Sequence, residues 1–136
     1  MMKRELFPVV FVVCLVAWSG CLQSDGKFEI KGTVTYDGQA VDDGMVTFMP
    51  FPGAPGTSES ASIKDGGFSV RLPEGQRTVE VYGYRLGPAV VMPTGGASQP
   101  SREQYIPEAY NAKSELTLTV VKGMAPVTYD LKQMDP

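Results

Sequence analysis

Cys21 is the residue of this chain whose type and position could support a covalent modification. It follows two basic residues near the start, an apolar run without charge from Leu6 to Trp18, and the small pair Ser19 and Gly20. A basic start, a short apolar stretch and small residues before a cleavage point are typical of a secretory signal. We therefore expect residues 1–20 to be a signal peptide.

Ser19, Gly20 and Cys21 resemble the lipobox of bacterial lipoproteins, although Trp18 stands where that motif usually has Leu or a similar aliphatic residue. The resemblance implies that the thiol of Cys21 receives a diacylglycerol, that the peptide is cut before it, and that the freed amine is acylated, for example with palmitate. Ordinary cleavage after Ser19, which would release a soluble protein, is the alternative. A single unpaired thiol in an exported chain favours acylation, because it explains why the cysteine is kept.

A transmembrane helix is another interpretation of the apolar run. Leu6 to Trp18 at about 1.5 Å per residue would reach only ~20 Å, short of the ~30 Å hydrocarbon core, and Pro8 removes a helix hydrogen bond. The sequence therefore predicts an exported protein, anchored by lipid on Cys21 to the cell membrane or the outer membrane and facing the periplasm or the cell surface. Residues 21–27 would be the lipidated N-terminus and linker.

The chain contains no histidine, which excludes most nucleophilic and zinc chemistry. Ser-His-Asp and Cys-His pairs and histidine-ligated zinc all need that side chain. Asp42 and Asp43 are a carboxylate pair, but beside Gly44 they are better explained as turn formers. A calcium site from Asp37, Asp42, Asp43 and Asp65 lacks the dense spacing of an EF-hand loop. We therefore predict no enzyme activity, no cofactor and no metal.

The charge of the chain argues against a nucleic-acid partner. Twelve Lys and Arg stand against fifteen Asp and Glu, and the two signs alternate along the sequence. Nucleic-acid binding needs a clustered basic face. The expected partners are the membrane, through the acyl chains, and an unknown envelope protein or glycan.

Four tyrosines are the candidates for ligand recognition. Tyr82 and Tyr84 alternate around Gly83 and so point to one face, and Tyr105 and Tyr110 follow in a long connection. Together they could form a patch that binds a glycan or a peptide. The alternative is that Tyr105 and Tyr110 hold the connection onto the domain while Tyr84 closes an edge of the core, since scattered aromatic residues usually serve packing.

The elements that must position these residues are β-strands. Apolar residues alternate with polar ones from Phe28 onward, and Asp-Gly and Pro-Gly turns separate the runs. Seven strands are predicted in this way, namely 28–36, 45–49, 61–63, 68–72, 77–84, 115–121 and 126–132. Because a small sheet cannot cover so many inward residues on both faces, we expect an all-β, seven-stranded antiparallel β-sandwich.

Two connections are irregular. Pro50 to Gly56 is a loop rich in proline and glycine, and residues 86–114 form a long connection without convincing strand character. Its middle, Pro93 to Ser101, is expected to be mobile, and its end, Tyr105 to Asn111, is expected to pack onto the domain.

The strand and turn residues together resemble carboxypeptidase-regulatory-like domains, which are transthyretin-like, or prealbumin-like, sandwiches. The pieces that carry the resemblance are Ile30 to Val41, Gly44 to Phe48, Asp65 to Phe68, Leu72 to Gly75, Val79 to Val81, Ile106 to Asn111, Leu116 to Val120 and Tyr129 to Leu131. The later pieces are similar to small exported lipoproteins abundant in planctomycetes. The resemblance implies a Greek-key, immunoglobulin-like domain over residues 28–132.

That resemblance implies a structural or protein-interaction module without catalytic activity. A glycan- or peptide-binding module that uses residues 86–111 is the alternative. Because one fold supports many functions, the sequence does not decide between them.

Overall fold

The computed structural model describes residues 25–134, and the predicted signal peptide and Cys21 lie outside them. Within this range the chain forms nine strands and one short 3₁₀ helix, Glu108–Tyr110. The strands are β1 (Lys27–Tyr36), β2 (Gln39–Ala40), β3 (Asp43–Pro50), β4 (Glu59–Lys64), β5 (Gly67–Pro73), β6 (Gly75–Val90), β7 (Gln99–Gln104), β8 (Thr117–Val120) and β9 (Val127–Leu131). The all-β prediction is confirmed. Residues 25–134 contain no helix that is long and apolar enough to cross a membrane.

The buried residues are those that the alternating pattern placed inward. Val46 and Phe48 of β3 and Val79 and Val81 of β6 are fully buried, while their sequence neighbours are more exposed. The other strands of the sheet contribute to the same core through Ile30, Val34, Ile63, Phe68, Val70, Leu72, Leu118, Val120 and Leu131. A single apolar core therefore lies inside the curled sheet.

Two tight hairpins follow from Asp-Gly pairs. Asp65 and Gly66 have φ angles of 49° and 79°, and they connect β4 to β5 with Lys64 opposite Gly67. Positive φ at both central residues defines the type I′ turn, whose twist matches that of antiparallel strands. The predicted hairpin at this position is confirmed. A second Asp-Gly pair, at residues 37 and 38, has φ angles of 50° and 80° and forms the β1–β2 hairpin.

The hydrogen-bonded order of the sheet is β2-β1-β5-β4-β3-β6-β7, with β8 added beside β6 and β9 beside β1. All neighbouring pairs are antiparallel except β1 and β9, which are parallel. The β4–β5 connection has only one paired position, Lys64 with Gly67. The sheet is thus nearly divided at this point, and it curls so that Phe48 of β3 and Phe68 of β5 have ring centroids 5.8 Å apart.

The segment 86–114 contains strands that the sequence did not predict, so the expectation of a strand-free loop is wrong there. β6 continues to Val90 instead of ending near Tyr84, and β7 returns beside it with Tyr84 opposite Gln104 and Val90 opposite Gln99. A register shift lies between Leu86 and Ala89. We call this two-stranded ribbon, residues 84–104, the arm.

The rest of that segment is held against one edge of β6, as predicted for Tyr105 to Asn111. Asn111 is 3% exposed, and its Nδ2 donates to the carbonyl oxygens of Val81, Ile106 and Pro107 at 3.4, 3.1 and 3.1 Å. The hydroxyl of Ser114 donates to the carbonyl of Val79. Both side chains donate hydrogen bonds to carbonyl oxygens of β6. These carbonyls lie in the part of β6 between the residues paired with β8 and the residues paired with β7.

Gly32 of β1 allows the close approach of two side chains, because a Cβ at this position would overlap the ring of Phe68 and the side chain of Val127. Phe68 therefore fills the space that the glycine leaves, next to Tyr129 at 6.4 Å between ring centroids.

Candidate functional site

A cleft of about 470 Å³ opens at the end of the domain where β1 ends. Its walls come from the β1–β2 hairpin, the chain leading into β3, and the start of the arm. The residues that face it include Tyr36, Asp37, Gln39, Asp42, Arg85 and Tyr105. A concave site of this size with aromatic and charged walls is suited to a small ligand or to one or two side chains of a peptide.

Tyr105 forms the floor of this cleft because β6 carries a glycine opposite it. The amide of Tyr105 donates to the carbonyl of Gly83 at 3.0 Å, and a Cβ at Gly83 would come within 2.8 Å of Ile106 and 3.1 Å of the Tyr105 ring. The ring of Tyr105 meets that of Tyr36 edge-on, with 5.6 Å between centroids. Two tyrosine rings are therefore fixed together at the end of the core.

Arg85 lies over the ring of Tyr105, with 5.5 Å from its guanidinium carbon to the ring centroid. Its Nε donates to a carboxylate oxygen of Glu103 at 3.1 Å. This is a cation–π contact made within the protein. The guanidinium is held at the mouth of the cleft by Glu103 and its charge is balanced there.

The cleft carries negative charge. Burial, followed by the carboxylate of Asp42, raises the pKa of Tyr105, and burial, followed by Asp37, raises the pKa of Tyr36. The carboxylate of Asp37 accepts a hydrogen bond from the amide of Gln133 at 2.8 Å. Among the residues that the structure describes, Asp42 has no side-chain hydrogen bond or ion pair.

The four tyrosines selected from the sequence do not form one patch. Tyr84 and Tyr105 both line the cleft. Tyr110 lines a different depression and its hydroxyl accepts a hydrogen bond from the amide of Lys132 at 3.1 Å. Tyr82 bonds Glu80 at 2.8 Å, and this hydrogen bond raises its pKa. Tyr110 thus holds its segment onto the end of β9, as the alternative interpretation predicted.

Tyr84 is covered by a second arginine. The guanidinium carbon of Arg102 lies 3.9 Å from the ring centroid of Tyr84, and the same side chain pairs with Asp43 at 2.9 Å. This contact ties the arm to the start of β3. The outer face of Tyr84 is therefore occupied and does not offer a platform for stacking.

The acidic residues considered for calcium are not brought together as a ligand set. Within residues 25–134 there is no group of three or more His, Cys, Asp or Glu side chains arranged to hold a metal. Asp37 and Asp65 occupy the first central position of their turns, as their turn-forming role predicts. Asp43 is instead the first residue of β3 and pairs with Arg102.

The arm presents a second candidate surface. Its apolar side chains are strongly exposed, with Leu86 at 78%, Val90 at 56%, Val91 at 74% and Met92 at 50%. Scattered apolar residues are normal on a protein surface, but a contiguous group marks an interaction site more often.

Among the cleft residues, sequence reasoning did not select Tyr36 or Arg85 for ligand binding, and it considered Asp37 and Asp42 only as turn formers or calcium ligands. The missing signal was the extension of β6, which carries Arg85 next to the end of β1. An Arg beside Tyr84 in a strand that continues past the core would have pointed to it.

Comparison of the chain with family models, with curated proteins and with solved structures found no match in any of the three.

Proposed function

We propose that this protein is a lipid-anchored, extracytoplasmic protein-interaction module without catalytic activity. In this proposal Cys21 carries the acyl chains, the anchor lies in the cell membrane or the outer membrane, and the partner is another envelope protein. The fold proposed for it is a transthyretin-like, Greek-key β-sandwich of the carboxypeptidase-regulatory-like class. The near division of the sheet between β4 and β5 and the facing of Phe48 and Phe68 support two packed layers.

The observation that carries the interaction function is the group of exposed apolar residues on the arm. The arm exposes four apolar side chains to solvent, and no third strand pairs with it on either side. These side chains are Leu86, Val90, Val91 and Met92. An isolated two-stranded hairpin is only marginally stable, and exposed apolar side chains on it gain nothing from water. Burial against a partner would supply the packing that the arm lacks.

The base of the arm is braced, so that the tip is presented in a defined direction. The hydroxyl of Ser101 donates to the carbonyl of Pro88 at 2.8 Å, and Gly87 leaves the room for it, because a Cβ there would come within 2.6 Å of that hydroxyl. Arg85 pairs with Glu103 and Arg102 with Asp43, one on each side of the ribbon. Pre-ordering of this kind lowers the entropic cost of binding.

The edges of the arm are poorly suited to strand addition. Pro88 lies in the irregular part of β6, and Pro100 lies in β7. Proline lacks the N–H that an added strand would need, and bulges and prolines are the usual protection of exposed edges. The partner is therefore expected to contact the apolar side chains of the tip and not the backbone.

The start of β1, to which the proposed tether leads, and the arm lie at opposite ends of the domain. Lys27, the first residue of β1, is paired with Pro73, whereas Tyr36 at the other end of β1 lines the cleft beside the arm. Ten strand residues at ~3.3 Å each separate these ends by ~30 Å. A domain tethered through residues 21–27 would present the arm away from the membrane.

The anchor is tested by intact mass and phase partition. The purified protein should have the mass of a chain that begins at Cys21 and carries acyl groups, and it should enter the detergent phase. The Cys21→Ser variant should move to the aqueous phase. A mature chain with an unmodified cysteine would contradict the anchor and leave the arm untouched.

The arm is tested by photo-crosslinking in intact envelopes. A photoreactive residue at Val91 should give one discrete adduct, and Leu86→Ser with Val90→Ser should remove it without changing the melting temperature. The matched control is the same photoreactive residue at Lys122, an exposed position in the turn between β8 and β9. The interaction function is refuted if both positions give the same adducts, or if the serine variant keeps the Val91 adduct.

The second candidate function, a glycan- or peptide-binding module that uses residues 86–111, is favoured by one observation. Tyr105 of that segment lines the cleft, next to Tyr84 and Arg85, which directly precede the segment. Because Arg85 and Arg102 cover the tyrosine faces on which a sugar would stack, the peptide form of this candidate is better supported than the glycan form.

A further inference from the structure

The cleft at the end of β1 combines aromatic rings with carboxylates. Tyr36 and Tyr105 are fixed edge to face with 5.6 Å between ring centroids, and Asp37 and Asp42 line the same cleft. The volume of about 470 Å³ accommodates a long aliphatic side chain and its polar head. Rings with a negative face beside carboxylates attract a positive group.

The charges around the cleft leave an excess of negative charge. Arg85 is the cationic residue among its walls, and Glu103 pairs with it at 3.1 Å. Asp43, behind Asp42, is paired with Arg102. The carboxylate of Asp37 accepts one backbone hydrogen bond, and that of Asp42 lacks a side-chain partner within the described residues. A cation that entered the cleft would find Asp42 available.

The position of Arg85 indicates which kind of cation fits. Its guanidinium already lies over Tyr105 at 5.5 Å, while its side chain is 61% exposed and connected to solvent. Because the distance is near the upper limit of a cation–π contact and the side chain is largely exposed, the guanidinium can leave the Tyr105 ring while it keeps its ion pair with Glu103. The aromatic floor therefore accepts an organic cation, and the protein's own arginine is the resident competitor.

We propose that this cleft binds an alkylammonium or guanidinium group, with Asp42 as its ion-pair partner and the rings of Tyr105 and Tyr36 as its aromatic floor. The group would belong to a basic peptide or to a free polyamine. The proposal goes beyond the interaction function of the arm and does not depend on it, because it involves neither Leu86 nor the tip residues 90–92.

Binding is measured by calorimetry on the full-length protein at low ionic strength, with a tri-lysine peptide, the same peptide acetylated on every amine, and spermidine. The unmodified peptide should bind and the acetylated one should not. Spermidine binding as tight as the peptide would identify the ammonium alone as the ligand, whereas peptide binding at least ten-fold tighter would identify a peptide. Equal binding of the acetylated and unmodified peptides would overturn the proposal.

Variants separate the cleft from general surface charge. Asp42→Asn should weaken binding of the tri-lysine peptide at least ten-fold, while the control Glu74→Gln, an exposed carboxylate at the other end of the domain, should leave it unchanged. Equal losses in the two variants would mean that the peptide binds to diffuse negative charge, and would refute the site.

Two further variants test the aromatic floor. Tyr105→Phe keeps the ring and should keep binding, whereas Tyr105→Leu removes it and should weaken binding several-fold; circular dichroism verifies that both remain folded. Arg85→Ala should strengthen binding several-fold, because it removes the resident cation. Weaker binding in Arg85→Ala would show that Arg85 contacts the ligand favourably and would contradict an organic cation as its class. The serine variants of the arm tip should bind as the wild type does, so failure here is distinguishable from failure of the arm.

Discussion

Asn111 is expected to hold residues 105–116 onto β6, and its replacement tests that role. The side chain is 3% exposed and donates to three carbonyl oxygens, two of them at 3.1 Å, and its Oδ1 accepts from the amide of Ala112 at 2.9 Å. A hydrogen bond contributes about 1 kcal/mol, and leaving a buried partner unpaired costs about 1–3 kcal/mol. Asn111→Ala should therefore lower the free energy of unfolding by about 2–4 kcal/mol.

Asn111→Asp keeps the shape of the side chain but removes its donors. The introduced carboxylate would face the same carbonyl oxygens with only the amide of Ala112 donating to it, and burial beside those carbonyls raises its folded pKa above the unfolded value of about 3.9. A raised folded pKa means that the variant is least destabilised below the unfolded pKa and loses stability as the pH rises through the folded pKa. The difference in unfolding free energy between variant and wild type should therefore be small in acid and large at neutral pH.

The assay is urea unfolding followed by circular dichroism, at several pH values, with wild type and both variants measured side by side. Glu59 and Asp130 have lowered pKa values, through hydrogen bonds with Lys27 and Thr35, so the wild type also responds to acid. That response is common to all three proteins and cancels in the difference. Gln133→Ala, at an exposed position, is the control and should stay within about 0.5 kcal/mol.

Two outcomes would refute the role of Asn111. An Asn111→Ala variant within about 0.5 kcal/mol of wild type would mean that the freed carbonyls find other partners. A difference for Asn111→Asp that does not change with pH would mean that the introduced carboxylate reaches water and that the segment is not closed over β6.

The remaining predictions concern the core. Phe68→Ala should lower the free energy of unfolding by about 3–5 kcal/mol, because Phe68 is 6% exposed and fills the space over Gly32. Ser69→Ala, on the outer face of the same strand, should be nearly neutral. Equal effects of the two substitutions in urea titrations would contradict the assigned faces. The hydroxyl of Tyr129 is buried without a hydrogen-bond partner among the described residues, so Tyr129→Phe should be neutral or stabilising by up to about 1 kcal/mol. Burial raises the pKa of Tyr129 from 10.0 to about 12. The wild type should therefore lose stability as the pH rises from about 10 to about 12, and Tyr129→Phe should lose less. An equal loss in both proteins would show that the hydroxyl is solvated.

The strands around the core could be predicted because each has one solvent-exposed face and one buried face. In β3 the buried Val46 and Phe48 alternate with Met45 and Thr47, and the same period recurs in β5 and β6. The Asp65–Gly66 turn added the hairpin, because few residue pairs adopt positive φ at two successive positions. Alternation and turn chemistry together therefore located seven of the nine strands of residues 25–134.

The arm could not be predicted from alternation because neither of its faces is buried. Leu86 and Val90 are exposed, as Pro88 and Ala89 between them are, and β7 has no buried residue. Pro88 and Pro100 also counted against a strand. What stabilises β7 is pairing with β6 and the contacts of Arg102 and Glu103, none of which leaves a period in the sequence.

The cleft shows a different limit. Its residues come from the end of β1, the chain before β3 and the start of the arm, and they meet only because Tyr36 and Tyr105 both cap the same end of the core. The residue types gave four candidate tyrosines, but only Tyr84 and Tyr105 of these line the cleft, while Tyr82 bonds Glu80 and Tyr110 bonds Lys132. Residue type selects candidates, and topology decides which of them are neighbours.

The pairing of β1 has a mechanical consequence for a tethered domain. β1 pairs with β5 over seven positions in its first part and with β9, in parallel, over five positions in its last part, so every residue of β1 is paired with a neighbouring strand. With the tether proposed at Cys21 and a partner on the arm, a pull between them would run along β1 and load these hydrogen bonds in shear, all at once, instead of peeling them one by one. The domain would then resist force through a high unfolding barrier, a property set by the rate of unfolding and not by equilibrium stability.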